Sequence, residues 1–178
     1  MKKLKLCISA CLIGFKYRYD GKNAIVPDII EKFSPIADFI PVCPEVECGL
    51  AIPRDPMHLT LTPRGTRMIV TRTGEDVTGR FLQWASGKLE QLALREPDGF
   101  IFRSKSPSCG LCSTKLYDAG HRVVSESGTG LFAGLFRRKF PELPLTQEND
   151  FGSLLENFRT MSGACCRCEG DCCGHAHH

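Results

Sequence analysis

The sequence predicts an α/β protein: a single three-layer domain with a mostly parallel sheet covered by helices, followed by a Cys/His-rich C-terminal tail. Short apolar runs typical of buried strands alternate along the chain with segments of helical periodicity. This alternation favours a parallel sheet with helices on both faces. The chain has 178 residues, of which 42% are apolar, so it can bury one sizeable core without disulfide support.

The first part of the chain supplies two predicted strands, and each ends at a cysteine. Residues 4–10 form a short apolar run that predicts a buried strand ending at Cys11. Residues 28–33 suit a short helix, because a proline stands in its first turn. The next strand is expected at 38–42 and ends at Cys43.

The middle of the chain contains one long predicted helix. Residues 77–94 carry apolar side chains at helical spacing, and Asp76 stands where it can cap the helix. Before it, residues 66–73 alternate in part and predict a hairpin or an edge strand. Prolines in the preceding segment 49–63 favour an ordered loop there rather than a regular element.

The last third of the chain continues the alternation. A third strand is predicted to start at 99–102 and to lead into Cys109, and a fourth strand is expected at 143–146. One helix should follow the Ser-Gly-Thr-Gly segment 127–130, and another should cover 151–161. The segment 127–130 is either an ordinary helix cap or a cradle of backbone amides for an anion.

Charge and hydropathy exclude several classes of protein. The net charge of +3 is too small to argue for nucleic acid. No stretch approaches the ~20 apolar residues needed to span a bilayer, so no membrane partner is expected. The apolar run after the basic start is too short for a signal peptide. We therefore expect a cytoplasmic protein.

Eleven cysteines are unusual for such a chain. In a reduced cytoplasm they indicate metal binding or catalysis, and their odd number also argues against complete disulfide pairing. Six of them lie within the α/β domain, which we place at residues 1–162, and the other five crowd into a tail at 163–178. We expect this tail to be disordered without metal and to offer a site for Zn or Cu.

Cys11, Cys43 and Cys109 each follow a predicted strand. Ligands of open α/β sheets bind beyond the carboxyl ends of the strands, so these thiols are expected at one edge of the sheet. Their separations of 32 and 66 residues fit about one and two strand–helix units. Three thiolates suit a [4Fe–4S] cluster with one iron left open. A structural zinc site, a thioredoxin-like site and buried, inert cysteines are the alternatives.

Four short motifs surround these cysteines. The first is Ser9-Ala10-Cys11-Leu12-Ile13-Gly14, continuing to Tyr19-Asp20-Gly21. The second is Pro41-Val42-Cys43-Pro44-Glu45-Val46, followed by Gly49-Leu50 and Pro53-Arg54. The third is Gly74-Glu75-Asp76-Val77-Thr78, and the fourth is Ser106-Pro107-Ser108-Cys109-Gly110. In this order the motifs resemble those of the thiouracil desulfidase family, long known as a bacterial domain of unknown function.

The resemblance implies an enzyme with a [4Fe–4S] cluster on Cys11, Cys43 and Cys109. Its open iron is expected to bind the exocyclic sulfur of a thiolated pyrimidine, 2-thiouracil or a thiouridine nucleotide. Water then replaces the sulfur without net redox change, which gives the oxo base and hydrosulfide. Soft iron and soft thiolates suit a sulfur substrate. The machinery that assembles such clusters is a candidate partner.

Five further residues are candidates for this reaction. Glu45 stands two residues after a cysteine and is expected to do general acid–base work. Ser106 and Ser108 offer hydroxyl groups that polarise water or hold the edge of the base. Asp20 either contacts the substrate or only shapes its turn. Arg54 either binds a nucleotide phosphate or is a solvated loop arginine.

Two other cysteines bear on whether an iron stays open. Cys48 and Cys112 follow Cys43 and Cys109 closely in the sequence. Either of them would close the iron as a fourth ligand, and we expect neither to do so. The alternative function is a metal or iron–sulfur carrier that uses the Cys-rich tail, and a zinc-stabilised binding module is a third.

Overall fold

The computed structural model describes residues 3–162 of the chain. The elements in chain order are β1 (Leu4–Ser9), a short 3-10 helix (Ala10–Ile13), α1 (Pro27–Phe33), β2 (Ala37–Val42), α2 (Pro44–Glu47), β3 (Met57–Thr62), β4 (Gly65–Val70), α3 (Thr78–Arg95), β5 (Gly99–Phe102), β6 (Thr114–Tyr117), β7 (Val123–Gly128), α4 (Leu131–Lys139), β8 (Leu145–Gln147) and α5 (Gly152–Met161). The tail at 163–178, with its predicted Zn or Cu site, lies outside the described residues.

The central sheet is entirely parallel and has the strand order β2-β1-β5-β8. All four predicted strands are therefore present, and the predicted α/β class is confirmed. Because β1 lies between β2 and β5, the loops that follow these three strands are neighbours at the carboxyl edge of the sheet.

Helices cover both faces of this sheet, which gives the predicted three layers. On one face, apolar side chains such as Leu6, Ile8 and Ile101 pack against α1 and α5. On the other face, Phe100 and Phe102 pack against α3 and α4. Successive residues of a strand point to opposite faces, so a short, fully apolar strand such as β5 supplies both cores.

A second, mixed sheet with the order β4-β3-β6-β7 was not predicted. Two antiparallel hairpins form it, β3–β4 and β6–β7, and β3 pairs in parallel with β6. The hairpin or edge strand expected at 66–73 is confirmed as β4. The loop expected at 49–63 is wrong in its second half, which forms β3. The prolines lie on either side of β3, where they leave its hydrogen bonds intact.

Asp76 binds the start of the long helix α3, although it lies one residue before the N-cap, Val77. The Oδ1 atom of Asp76 accepts a 2.9 Å hydrogen bond from the backbone N–H of Thr78, the first residue of the helix. The Thr78 hydroxyl accepts a 2.8 Å bond from the Met68 N–H and so ties the helix start to β4. Within residues 3–162, no helix combines the length and the apolar character needed to cross a membrane.

Candidate active site

The parallel sheet brings three free thiols to one cavity. Cys11, Cys43 and Cys109 follow the carboxyl ends of β1, β2 and β5, and all three line a cavity of about 270 Å³. None of them is in a disulfide. The expectation that these strand ends meet at one edge therefore agrees with the geometry of the sheet.

Tight local structure fixes the first two cysteines. Cys11 lies in the 3-10 helix that continues β1, and Gly14 ends this helix with φ of +106°, a conformation that favours glycine. Cys43 precedes α2, and its N–H donates a 2.9 Å hydrogen bond to the Glu47 carboxylate. The backbone that carries each of these two thiols is therefore fixed by local structure.

The loop of Cys109 is held by the start of α4. The N–H groups of Leu131 and Phe132 donate 3.0 Å hydrogen bonds to the carbonyls of Pro107 and Ser108, respectively. Gly130 makes this approach possible, because a Cβ atom there would lie 2.6 Å from the Ser108 carbonyl oxygen. The amides at the start of this helix are thus occupied by the Cys109 loop. Of the two interpretations of segment 127–130, the structure favours the helix cap over the anion cradle.

Burial dominates the electrostatics of the three thiols. It raises the pKa of Cys11 to about 11 and that of Cys43 to about 12. The pKa of Cys109 is also raised, mainly by burial; a hydrogen bond from Ser9 opposes the rise, whereas the charges of Cys43 and Cys11 add to it. Each thiol therefore lies within electrostatic range of the others. Metal ligation at these positions would have to displace the thiol protons.

The donor set fits an iron–sulfur cluster. Among residues 3–162, no three Cys, His, Asp or Glu side chains converge as ligands of one metal ion. A cluster takes one thiolate on each iron, so its ligands surround a shared space instead of meeting at one point. Three unpaired thiols around a partly enclosed cavity meet this requirement, and soft sulfur donors are those that iron–sulfur centres use.

The two neighbouring cysteines lie away from the cavity. Cys48 is buried in the core, and its Sγ lies 3.2 Å from the Glu45 carbonyl oxygen as a hydrogen-bond donor. Cys112 is exposed, and its Sγ contacts the Thr129 hydroxyl at 3.7 Å. Neither residue lines the cavity, in line with the expectation that neither is a fourth ligand.

Glu45 is the centre of a buried polar network. Its Oε1 atom accepts a 2.8 Å hydrogen bond from the Ser108 hydroxyl. The Ser106 hydroxyl lies 3.0 Å from that of Ser108 and accepts hydrogen bonds from the N–H groups of Ser108 and Cys109. Since Ser108 gives its only proton to Glu45, Ser106 is the donor between the two serines. A chain of donors thus runs from Ser106 through Ser108 to Glu45.

Arg54 completes this network. Its Nε and Nη2 atoms donate hydrogen bonds of 2.9 and 2.6 Å to Glu45 Oε2, and Nη2 also donates 2.9 Å to the Tyr17 carbonyl. The Arg54 side chain is only 8% exposed, so it is not a solvated loop arginine. It lines the cavity beside Glu45, and most of its hydrogen-bonding capacity is used within the protein.

Asp20 is the one predicted site residue that does not line the cavity. Its carboxylate accepts hydrogen bonds of 3.3 and 3.2 Å from Nε and Nη2 of Arg18 and a 3.1 Å bond from the Lys22 N–H. Arg18 does line the cavity. The contacts of Asp20 therefore fit the shaping of a turn that presents Arg18.

The sequence did not identify a second charged pair at the same edge. Arg103 and Glu148 follow β5 and β8 directly, and Arg103 Nη1 donates to Glu148 Oε1. Arg103 lines the cavity. The rule that found the cysteines, namely that functional side chains follow the ends of parallel strands, applies equally to these two residues and could have found them.

Comparisons with known proteins agree with this architecture. The chain is 30% identical over 138 residues to the uncharacterized protein YbbK of Bacillus subtilis (strain 168), an alignment that covers 75% of this chain and 89% of YbbK. A solved structure described as the [4Fe–4S]-dependent thiouracil desulfidase TudS superposes with a TM-score of 0.70 at 29% identity, covering 89% of this chain and 99% of TudS. The family model for 2-thiouracil desulfurase matches residues 6–148. The chain therefore belongs to the 2-thiouracil desulfurase family of carbon–sulfur bond-cleaving enzymes.

Proposed function

We propose that this chain is a [4Fe–4S]-dependent desulfidase that converts a thiolated pyrimidine, 2-thiouracil or a thiouridine nucleotide, to its oxo form and hydrosulfide. The observation that carries the proposal is the cavity in which three free cysteines meet the Glu45–Ser108–Ser106 network. Family membership and the likeness to TudS support it.

Cys11, Cys43 and Cys109 are the proposed cluster ligands. When bound, the cluster would supply an iron without a protein ligand, which is a Lewis acid suited to a sulfur atom. That neither Cys48 nor Cys112 lines the cavity supports an iron without a fourth cysteine ligand. Loading such a site would make the cluster-assembly machinery a partner.

Glu45 and the two serines are the proposed proton carriers. In the overall reaction a C–O bond forms from water, the C–S bond breaks, and the two water protons end on hydrosulfide and in solution. The chain of hydroxyl groups can pass a proton from water near Ser106 to Glu45, since each donor in it already faces the next acceptor. Positioned groups of this kind contribute about 10²–10⁴-fold to such reactions.

Arg54 and Asp20 act less directly. Arg54 holds the Glu45 carboxylate through two hydrogen bonds, which leaves Oε1 directed at Ser108. It also forms part of the cavity wall that a pyrimidine would meet. Asp20 fixes Arg18, another cation of that wall. We therefore propose Arg54 as a cavity-wall residue for the substrate and Asp20 as a positioning residue for Arg18.

Anaerobic reconstitution tests the proposal. The full chain should bind about four irons and turn brown, and it should release hydrosulfide in equal amount to the uracil formed from 2-thiouracil. 4-Thiouridine monophosphate should be tried in parallel, because the two substrates differ in ring position and in phosphate. A colourless protein that binds zinc and leaves both thiopyrimidines unchanged would refute the proposal.

A further inference from the structure

The cavity wall contains four cations, and they differ in how completely the protein satisfies them. Arg54 makes four hydrogen bonds, two to Glu45 and two to backbone carbonyls. Arg18 gives Nε and Nη2 to Asp20. Lys105 is exposed, and within residues 3–162 it has no acidic partner. Arg103 is intermediate, since it is partly buried and has one carboxylate partner.

Arg103 keeps hydrogen-bonding capacity toward the cavity. Its Nη1 atom donates to Glu148, and its side chain is 34% exposed. Its Nε and Nη2 atoms make no hydrogen bond to the described part of the chain. The backbone of Arg103 is held by a 2.9 Å hydrogen bond that its N–H donates to the hydroxyl of Ser9, the last residue of β1. Arg103 thus has a rigid backbone and unused donors.

Glu148 lies where it can bind and orient Arg103. Phe102 and Gln147 are register partners in β5 and β8, so Arg103 and Glu148 leave adjacent strands at the same level. The Glu148 carboxylate also accepts hydrogen bonds of 2.7 Å from the N–H and from the hydroxyl of Ser104. Its side chain is only 8% exposed. A buried carboxylate with several donors from one loop fixes the orientation of that loop.

The charge of Arg103 reaches the cysteine ligands. Arg103 and Cys11 line the same cavity, and the backbone of Arg103 is bonded to Ser9, two residues before Cys11. A cluster with three thiolate ligands is anionic, and the proposed reaction adds a further negative charge as hydrosulfide leaves. A fixed cation in a partly buried site lowers the free energy of both species.

We propose that Arg103 is the cation that balances negative charge on the Cys11 side of the cavity, and that Glu148 is the positioning residue that holds it there. The proposal rests on the proposed function, since it supposes a cluster on the three cysteines. It assigns Glu148 a role through Arg103 and not through its own charge, which has the opposite sign.

The midpoint potential of the bound cluster, followed by EPR during an anaerobic titration, separates these roles. Arg103→Gln removes a positive charge near the cluster and should shift the potential to a more negative value. Glu148→Gln removes a negative charge, so an effect of its own charge would shift the potential to a more positive value. If Glu148 acts by holding Arg103, its substitution should instead shift the potential negatively, by less than Arg103→Gln.

Three further variants complete the test. Arg103→Lys should retain most of the wild-type potential, and Arg103→Gln/Glu148→Gln should match Arg103→Gln alone, because Glu148 has no effect once Arg103 is absent. Lys105→Gln, which removes a cavity cation of the same charge, should shift the potential less than Arg103→Gln. A positive shift for Glu148→Gln, or an unchanged potential for Arg103→Gln, would overturn the inference. A wild-type chain without cluster or desulfidase activity would instead refute the proposed function.

Discussion

Glu45 and Ser108 are joined by a 2.8 Å hydrogen bond although 63 residues separate them in the chain. Glu45 lies in the short helix that follows β2, and Ser108 lies in the loop that follows β5. The two strands do not pair, because β1 runs between them. The proposed acid–base group and its hydroxyl partner therefore meet across the end of β1, next to Cys11, only once the sheet has formed.

This relationship predicts a specific effect of Ser108→Ala. The substitution interrupts the chain of donors between Ser106 and Glu45 and leaves the cysteines in place. We expect kcat for 2-thiouracil to fall about 100-fold or more, with the iron content per chain unchanged. Steady-state kinetics together with iron analysis measure both quantities.

Ser113→Ala is a matched control for this serine. Ser113 lies in the same loop region, but its hydroxyl donates to Gln147, away from Glu45. The Ser113→Ala variant should keep kcat for 2-thiouracil within a few-fold of the wild-type value. Equal losses in the two variants would mean that the loop, and not the hydroxyl of Ser108, sets the rate.

The ion pair between Arg54 and Glu45 predicts a large loss of stability on Arg54→Met. Both side chains are almost fully buried, so removing one leaves an uncompensated charge. We expect the free energy of unfolding to fall by about 3–5 kcal/mol, measured by urea denaturation of the metal-free chain. The double variant Arg54→Met/Glu45→Gln should recover part of this loss, because it leaves no unpaired charge.

Arg72→Met provides the comparison for Arg54→Met. Arg72 donates two hydrogen bonds to Asp55, but its side chain is 76% exposed. Exposed ion pairs contribute little because water screens them. A stability loss as large for Arg72→Met as for Arg54→Met would contradict the assigned importance of burial.

The cap of α3 predicts a pH-dependent effect of Asp76→Asn. Desolvation raises the pKa of Asp76, but hydrogen bonds with Thr78 and the charge of Arg67 outweigh it and lower the pKa below the ordinary value of 3.8. A lowered pKa in the folded state means that the carboxylate stabilises the fold above pH ~4. This contribution is lost as the pH falls through the lowered value.

Chemical denaturation at several pH values tests this cap. The wild-type chain should exceed Asp76→Asn in stability by up to about 1 kcal/mol near pH 7, the contribution of a negative charge at a helix N-terminus, because Asn can keep the hydrogen bond but not the charge. The difference should shrink below pH ~4 and vanish at lower pH. A difference that stays constant from pH 7 to pH 2 would show that the charge of Asp76 contributes nothing.

Deletion of residues 163–178 tests the alternative function of a metal or iron–sulfur carrier. The three cavity cysteines, Glu45 and both serines all lie within residues 3–162. The truncated chain should therefore keep its cluster and turn over 2-thiouracil at the rate of the full chain. Loss of turnover with an otherwise folded protein would assign the reaction to the tail instead.

The parallel sheet could be predicted because its signals are local. Each strand is a short apolar run, and the long helix has a regular apolar face with Asp76 at its start, so local sequence patterns predict their positions. The cysteines followed from the same pattern, since the ends of parallel strands share one edge. These features depend on residues close together in the sequence.

The second sheet depends on contacts that the sequence does not reveal. In β7, four of six residues are exposed and Gly128 is its only buried one, so no apolar run marks the strand. Its place is fixed by pairing with β6, and Gly128 packs so closely that a Cβ atom would lie 2.5 Å from Leu116 Cγ. The sequence of segment 127–130 suggests the start of a helix, whereas in the structure residues 127 and 128 are the last two residues of β7.

Substitution of the cysteines one at a time tests the central claim most directly. Cys43→Ser should reduce bound iron from about four atoms per chain to near zero after anaerobic reconstitution, and Cys11→Ser and Cys109→Ser should do the same. Cys48→Ser and Cys112→Ser, which change thiols outside the cavity, should keep the wild-type iron content and turnover of 2-thiouracil. Loss of the cluster in Cys48→Ser or Cys112→Ser, or a full cluster in Cys43→Ser, would contradict the account.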